Sequence, residues 1–182
     1  MSRGFYATSL MERANGRQVI TAWIGGFLNP EGWDGCIAVP RDLSVDSDLN
    51  VRMMPVKELE TLRYNEQSIT VGKFPTSGAF DLEIDFSKRV EVRVGKSLVV
   101  SVTPQVVSLN ETTFPVKDPR SLRLLVDVST AELFVDGGLW NATRTIPMLR
   151  EGDEVRICGE SVSGRMYNMK PVSVSDPYRV FQ

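Results

Sequence analysis

The stretch that decides the fold is Phe80–Phe86, which reads FDLEIDF. Apolar residues occupy every second position, and acidic residues fill the positions between them. Successive side chains of a β-strand point to opposite faces, so this period of two predicts a strand with one buried face. We expect the carboxylates of Asp81, Glu83 and Asp85 to share the opposite face, where solvation is favoured over a catalytic cluster.

Similar short segments extend in both directions, separated by turn residues roughly every ten positions. This spacing is typical of an all-β protein built as an antiparallel sandwich. Asn15-Gly16 predicts a two-residue hairpin turn between the first two strands. Besides Phe80–Phe86, the predicted strands are Phe5–Met11, Gln18–Ile24, Cys36–Val39, Leu49–Met54, Val90–Val94, Leu98–Val102, Leu122–Val128, Ala131–Val135, Thr143–Ile146, Glu154–Cys158 and Met169–Val174.

The segment Pro55–Arg63 (PVKELETLR) differs from its surroundings. Val56, Leu59 and Leu62 recur at helical spacing among Lys and Glu residues, just after a proline. We predict a short helical linker at a domain boundary. The division that follows is residues 1–55, then the linker at 56–64, then residues 65–182.

The composition excludes several classes of partner. The chain has 182 residues, 42% of them hydrophobic, which is enough to bury a core. Its 21 basic and 23 acidic side chains are scattered, so we expect neither nucleic acid nor a membrane as a partner. No apolar run approaches the roughly 20 residues needed to span a bilayer. The N-terminus has no apolar signal region, and the compartment stays open because a signal can belong to a longer parent protein.

Histidine is absent, which excludes His-based triads and His-ligated zinc. Any catalysis would therefore use carboxylates, Lys, Tyr or Cys. The only cysteines, Cys36 and Cys158, lie far apart and in no metal-ligand spacing. We predict two buried or half-buried thiols, with a disulfide as the alternative.

One acidic segment has the first spacings of a calcium loop, at Asp46, Asp48 and Asn50. Val51 stands where such a loop needs Gly, and Lys57 stands where it needs a bidentate Glu. We therefore predict a turn here and expect no metal and no cofactor.

Several segments together form a pattern that none of them carries alone. In chain order they are Gly4–Ala7 (GFYA), Asn15–Arg17 (NGR), Ala22–Gly25 (AWIG), Gly32–Gly35 (GWDG), Val39–Leu43 (VPRDL), Pro55–Arg63, Leu122–Asp127 (LRLLVD) and Glu132–Gly138 (ELFVDGG). In this order and spacing the chain resembles the C-terminal part of glycoside hydrolase family 32, the invertases, levanases, inulinases and sucrose-6-phosphate hydrolases. Thr8-Ser9 departs from the family's usual Pro-Gln.

Complete enzymes of this family have a five-bladed β-propeller followed by a β-sandwich. The resemblance implies that residues 1–55 are a remnant of the last propeller blade and that 65–182 form the C-terminal sandwich, of jelly-roll or concanavalin-like type. It also implies that Trp23, which matches a tryptophan of the family's pocket rim, contacts substrate in the complete enzyme. An indole face packs well against the C–H face of a sugar ring. A place in the core of a blade is the alternative for Trp23.

The resemblance further implies that the catalytic residues are missing. The family's nucleophile lies in an NDPNG motif, a supporting Asp in RDP and the acid/base Glu in EC, and all three precede the matched region. Retaining hydrolysis needs two carboxyl groups about 5 Å apart. Two look-alike segments, Asn29–Gly32 and Lys117–Pro119, are predicted to be turns. We assign no catalytic residue and expect the chain to be inactive alone.

The leading hypothesis is a non-catalytic sandwich region of a β-fructosidase-type hydrolase that stabilises the propeller and mediates oligomer contacts. The alternative is a free-standing fructan-binding module that uses Trp140 or other surface aromatics, although core packing is favoured for Trp140. A third hypothesis is an enzyme with an unrelated carboxylate pair. An unfinished blade exposes strand edges and an apolar face. We therefore expect a second copy or the missing propeller portion as partner, and a fructan or sucrose-type carbohydrate as ligand.

Overall fold

The computed structural model describes residues 4–27, 34–149 and 152–172. Within these ranges the chain forms 17 β-strands and one short 3-10 helix, and all paired strands are antiparallel. The predicted all-β class is confirmed. No helix in the described ranges is long and apolar enough to cross a membrane.

The first sheet contains five strands and precedes the helix. β3 and β4 pair with opposite ends of β2, so together they act as one strand interrupted at residues 38–40. The order across the sheet is β1-β2-β4-β5, which gives a four-stranded meander in outline. The strands are β1 (Phe5–Glu12), β2 (Gln18–Gly25), β3 (Gly35–Ile37), β4 (Arg41–Val45) and β5 (Val51–Pro55).

The first hairpin pairs β1 with β2 as predicted, but its turn is longer than predicted. The Arg13 amide donates to the Arg17 carbonyl at 2.8 Å, so the loop has three residues, 14–16, rather than two. The Gly16 amide also donates to the Arg13 carbonyl, and Gly16 has φ 76°. A left-handed residue at the last position of a three-residue hairpin loop is the geometry that favours Gly.

The predicted short helix is confirmed as a 3-10 helix at Lys57–Leu62, called here the linker helix. Val56 precedes it, is buried, and accepts a hydrogen bond from the Leu59 amide at 3.1 Å. No residue of the helix itself is buried. The helix therefore lies on the surface of the molecule.

Two six-stranded sheets follow the linker helix. The proximal sheet, next to the first sheet, has the order β15-β14-β13-β8-β17-β6, and the distal sheet has the order β12-β11-β10-β9-β16-β7. Their strands are β6 (Arg63–Ile69), β7 (Gly72–Pro75), β8 (Ala79–Asp85), β9 (Val90–Val94), β10 (Leu98–Val102), β11 (Val106–Leu109), β12 (Thr112–Pro115), β13 (Ser121–Asp127), β14 (Thr130–Val135), β15 (Trp140–Thr145), β16 (Glu154–Gly159) and β17 (Ser163–Met169).

The proximal and distal sheets face each other across one apolar core and form the predicted sandwich. Phe80, Leu82 and Ile84 of β8 point into this core, so the alternation of FDLEIDF is confirmed. Val92 and Val100 of the distal sheet are buried in the same core. Full burial of one such side chain contributes about 1.5–3 kcal/mol, so the sandwich contains the main source of apolar stabilisation.

Six strands, β4, β6, β7, β11, β12 and β17, are not indicated by the sequence patterns. β6 and β12 lie at sheet edges and carry mostly exposed or half-buried side chains, so no alternation marks them. The predicted strand at Met169–Val174 is wrong over residues 170–172, because β17 ends at Met169; residues 173–174 lie outside the described ranges. The predicted Cys36–Val39 strand is shifted, since β3 ends before Pro40.

The first sheet packs on the outer face of the proximal sheet. All six residues of β14 are buried, because Leu133 faces the sandwich core while Glu132 and Phe134 face the first sheet. The Met53 amide donates to the Gly138 carbonyl at 3.0 Å, and a Cβ added at Gly138 would collide with the Met53 backbone. This close approach, together with φ 79° at Gly138, fixes β5 against the turn between β14 and β15.

Candidate functional site

Trp23 lies on β2, and its indole packs against the backbone at Gly25 and Gly35. Its neighbours Ala22 and Ile24 are buried on the sandwich side of the first sheet, so Trp23 points away from the sandwich. A Cβ added at Gly35 would collide with the indole, and one added at Gly25 would lie 3.2 Å from Nε1. The two glycines therefore let the ring rest directly on the backbone of β3, with part of its surface open to solvent.

Trp23 is the centre of a cross-strand row that we call the Trp23 face. Tyr6 on β1 and Ile37 on β3 lie directly opposite it in the strand register. The exposed fractions are 58% for Tyr6, 39% for Trp23 and 64% for Ile37. Aromatic rings and a phenol hydroxyl on one face suit the C–H faces and hydroxyl groups of a sugar. Sequence reasoning missed Tyr6, because a bulge between Tyr6 and Ser9 shifts the hairpin register that places Tyr6 beside Trp23.

Behind this face, Arg41 of β4 is enclosed between the first sheet and the proximal sheet, with 1% of its surface exposed. Its guanidinium carbon lies 3.9 Å from the centroid of the Phe5 ring and 4.8 Å from that of Phe134. Its Nη2 donates to Glu132 Oε2 at 2.6 Å and to Thr143 Oγ1 at 2.5 Å. We call these five residues the Arg41 clamp.

The Glu132 carboxylate holds two points of the first sheet at once. Oε2 accepts from Arg41, and Oε1 accepts from the Val39 amide at 2.9 Å. Burial raises the pKa of Glu132 and lowers the pKa of Arg41, and the attraction between the opposite charges works against both shifts. Removing either partner would leave an uncompensated buried charge. The clamp is therefore a two-sided contact that neither sheet can make alone.

The expectation that the acidic face of β8 is solvated is wrong for Asp81, which is 0% exposed. Its carboxylate accepts from Arg123 Nε at 3.0 Å and Nη2 at 2.8 Å, and from Arg63 Nε at 2.8 Å. Arg63 also donates to Glu83 Oε1 at 2.5 Å. Alternation sets which face a carboxylate takes, but arginines from β6 and β13 cover this one. Only Asp85 of the three stays exposed, and we call the four paired residues the Asp81 cluster.

The Asp46 carboxylate is occupied by hydrogen-bond donors. Its Oδ1 accepts from the amides of Asp48 and Asn50 at 3.0 and 2.9 Å, and its Oδ2 accepts from Arg52 Nε at 2.8 Å. The turn predicted here is confirmed. Throughout the described ranges no group of three or more acidic, Cys or His residues is placed to hold a metal ion.

The remaining sequence candidates fall in three places. Asp118 has φ 43°, and its amide donates to the Pro104 carbonyl, so the look-alike at Lys117–Pro119 is a bend as predicted. Trp140 is half-buried and packs against the sandwich core. This agrees with the core packing favoured from the sequence over an exposed position. Asn29–Gly32 and Trp33 lie outside the described ranges.

Both cysteines are free thiols, so the disulfide alternative is wrong. Cys36 is half-buried and lines a groove of about 670 Å³ beside the linker helix, whereas Cys158 is exposed, contrary to prediction. Cys158 takes an outward position on β16, next to Ile157, which faces the core. Burial, helped by the nearby Glu132 and Asp127 carboxylates, raises the pKa of Cys36 to about 11. The Cys36 thiol is therefore protonated at neutral pH and is not an activated nucleophile.

Comparison with known proteins agrees with the fold. The chain is 25% identical over 167 residues to sucrose-6-phosphate hydrolase of Bacillus subtilis, an alignment that covers 74% of this chain and 34% of the relative. It is 28% identical over 172 residues to the Staphylococcus xylosus sucrose-6-phosphate hydrolase, covering 74% of this chain and 35% of that protein. The chain thus spans about a third of the length of these relatives.

Solved structures give the same picture. The sucrose-6-phosphate hydrolase from Lactobacillus gasseri superposes with a TM-score of 0.77 at 20% identity, over 92% of this chain and 41% of that one. An exo-inulinase from Aspergillus awamori superposes with a TM-score of 0.74 at 14% identity, over 93% of this chain and 44% of that one. No family model matches the chain. By its relatives and its fold, the chain matches the C-terminal, sandwich-containing part of glycoside hydrolase family 32.

Proposed function

We propose that this chain is a non-catalytic C-terminal region of a β-fructosidase-type glycoside hydrolase. In this proposal residues 1–55 complete the last blade of a propeller, 56–64 form the linker, and 65–182 form a sandwich that supports the blade. The observation that carries the proposal is the contrast between the closed sandwich core and the open Trp23 face on the first sheet. An apolar aromatic row left open in this way favours a further protein surface or a ligand.

The charges on the first sheet also support a non-catalytic role. Retaining glycosidases need two free carboxyl groups about 5 Å apart. Asp42 pairs with Arg17, and Asp46 pairs with Arg52, so these two carboxylates are engaged in ion pairs. In the proposal the acid and the nucleophile come from other blades, and this chain contributes Trp23 and Tyr6 to the rim of the sugar pocket.

The proposed partner is the catalytic part of a propeller. β1 is an eight-residue strand at the edge of the first sheet, and all but its first residue are exposed. Leu10 and Met11 on this edge strand are more than half exposed. Exposed apolar edge strands pair readily with other chains, so a second copy of the chain is the competing occupant of the same surface.

A hydrolysis assay tests the catalytic half of the proposal. The purified chain is incubated with sucrose, sucrose 6-phosphate, inulin and levan, and released fructose is measured, with the Bacillus subtilis sucrose-6-phosphate hydrolase as the positive control. We expect no turnover by this chain. Fructose release by the purified chain would refute the proposal, and release that persists in a matched preparation of the Trp23→Ala variant would place the reacting carboxylates away from the Trp23 face.

A light-scattering measurement addresses the partner. Exposed apolar surface on the first sheet predicts self-association at micromolar concentrations, and substitution of Leu10 and Met11 by Lys should reduce it. A chain that is monomeric at high micromolar concentration, with its first sheet resistant to protease, would show that the sheet needs no partner.

The alternative function is a free-standing fructan-binding module, and the half-exposed indole of Trp23 favours it. Calorimetric titration with inulin and levan separates the two functions. Saturable binding that is lost in Trp23→Ala but kept in a Tyr64→Ala control would favour the module. Tyr64 is a suitable control because it is also an exposed aromatic but lies on β6.

A further inference from the structure

We infer that the Arg41 clamp is the device through which the sandwich sets the geometry of the Trp23 face, with Arg41 and Glu132 as positioning residues. The use of that face for sugar rests on the proposed function. The coupling itself rests on side-chain contacts. The clamp contacts both strands that pair with β2 at Trp23, namely β1 and β3.

The first contact holds the segment that follows β3. Glu132 Oε1 accepts from the Val39 amide, and Val39 lies two residues after Ile37, the last residue of β3. β3 carries Gly35, whose backbone is the floor of the Trp23 indole. Any shift of the segment after β3 therefore moves both the floor under the indole and the exposed Ile37 beside it.

The second contact holds β1. The guanidinium of Arg41 stacks on the ring of Phe5, which precedes Tyr6 and pairs with Ile24 in the sheet. A desolvated cation–π contact of this kind attracts the guanidinium to the ring face and so holds the Phe5 ring in place. Because side chains alternate along a strand, holding Phe5 on the sandwich side directs Tyr6 to the Trp23 face.

The chemistry of the clamp indicates positioning more than stabilisation. Arg41 Nε finds no acceptor among the described residues, so the buried guanidinium is only partly satisfied. Replacing such a buried ion pair by apolar residues is often neutral for stability. The ion pair instead fixes the relative position of the two sheets, since charge-assisted hydrogen bonds constrain distance and angle more tightly than apolar contacts do.

The test uses Trp23 as its own reporter. With Trp33 and Trp140 replaced by Phe, acrylamide quenching of the remaining emission measures access to the indole, and hydrogen exchange measures the opening of β1–β3. In Glu132→Gln and Arg41→Met we expect quenching of Trp23 to change by about twofold. We also expect exchange in β1–β3 to quicken by about 100-fold or more, because removing one partner leaves an uncompensated buried charge. Exchange in β8 and β13 should be unchanged.

Arg52→Met is the matched control. Arg52 also joins the first sheet to the proximal sheet, donating to the Asp136 carbonyl at 2.5 Å, but it is partly exposed and lies on β5. We expect wild-type quenching in this variant. Equal effects in Arg52→Met and Arg41→Met would reduce the clamp to one of several general contacts and overturn the inference.

The double variant Arg41→Met/Glu132→Leu separates position from stability. We expect it to unfold in urea near the wild-type midpoint, because an apolar pair fills the same space. Its Trp23 quenching should still differ from wild type, because the Val39 amide has lost its acceptor. Wild-type quenching in the folded double variant would overturn the inference, as would exchange that quickens uniformly over the chain. Neither measurement uses a sugar, so the proposed function can fail independently.

Discussion

The first sheet and the sandwich bury their apolar side chains in different ways. The sandwich closes a core between its own two sheets, and strands such as β9 and β10 each place three fully or almost fully buried side chains in it. In the first sheet the buried apolar cluster consists of Ala22, Ile24 and Ala38, with partly buried Phe5, Phe27 and Cys36 around it. Two of those three buried residues are alanines, so the first sheet obtains little stabilisation from its own core.

The difference is that one region supports itself and the other depends on its neighbours. The contacts that hold the first sheet to its neighbours include specific polar ones: the Arg41 clamp, the Met53–Gly138 and Arg52–Asp136 hydrogen bonds and the Arg17–Glu58 ion pair. We therefore expect a substitution in the sandwich core to lower global stability. A substitution in the first sheet should instead release that sheet locally.

The largest expected effect comes from the sandwich core. Leu133→Ala removes a fully buried side chain of β14 and should lower the free energy of unfolding by about 3 kcal/mol, measured by urea denaturation with circular dichroism. Ile24→Ala makes the same kind of cavity in the first sheet but should leave the main urea transition in place while quickening hydrogen exchange in β1 and β2. Leu49→Ala, at 83% exposed, is the neutral control.

Equal losses from Leu133→Ala and Ile24→Ala in the main transition would show that the two regions unfold as one unit. The contrast drawn between them would then be wrong, and the first sheet would be an integral part of the sandwich.

The sandwich strands were the easier part to predict from the sequence. Phe80–Phe86 and Val90–Val94 lie in the middle of their sheets and point alternate apolar residues into the sandwich core, so alternation marks them and their observed bounds differ by at most one residue. β4 was missed because it begins Arg41-Asp42, which looks like a loop after Pro40. Arg41 is buried only because Glu132, 91 positions later, supplies its partner.

The same limit applies to the candidate site. The sequence pattern indicated Trp23 through a family resemblance, but not Tyr6, whose relevance depends on the register of two strands. Alternation correctly placed Asp81 on the outer face of β8. It carried no information on Arg63 and Arg123, which reach that face from β6 and β13. Partners distant in the chain are invisible to local periodicity.

The Asp81 cluster, which lies on β6, β8 and β13 of the proximal sheet, gives the next largest effect. Asp81→Asn removes the buried negative charge shared by Arg63 and Arg123, while Glu83 remains as a partner for Arg63. We expect a loss of about 2 kcal/mol in urea denaturation, less than for a fully orphaned buried charge. Asp85→Asn, on the same strand but exposed, should change stability little. Equal effects of the two variants would contradict the importance assigned to burial.

A smaller effect is expected on the rates at which the two thiols are chemically modified. Because the pKa of Cys36 is raised to about 11, its thiolate fraction should grow about tenfold per pH unit between pH 7 and 10. We expect iodoacetamide to modify the exposed Cys158 first at pH 8 and Cys36 much more slowly, as measured by peptide mass spectrometry. Cys158→Ser isolates Cys36. Rapid modification of Cys36 at pH 8 would mean that the first sheet opens often.

The smallest expected effect concerns the ion pairs that join the hairpin loop to the linker helix. Arg17 Nη1 and Nη2 donate to the Glu58 carboxylate at 2.6 and 2.8 Å, which lowers the pKa of Glu58 to about 2. A carboxylate with a lowered pKa stabilises the fold above its unfolded pKa, and the contribution is lost as the pH falls towards 2. Glu58→Gln should therefore be slightly less stable than wild type at pH 6 and should converge with it near pH 2. Both Glu58 and Arg17 are near the surface, so salt should screen the difference. A difference between the variants that grows as the pH falls would reverse the sign and exclude this ion pair as its source.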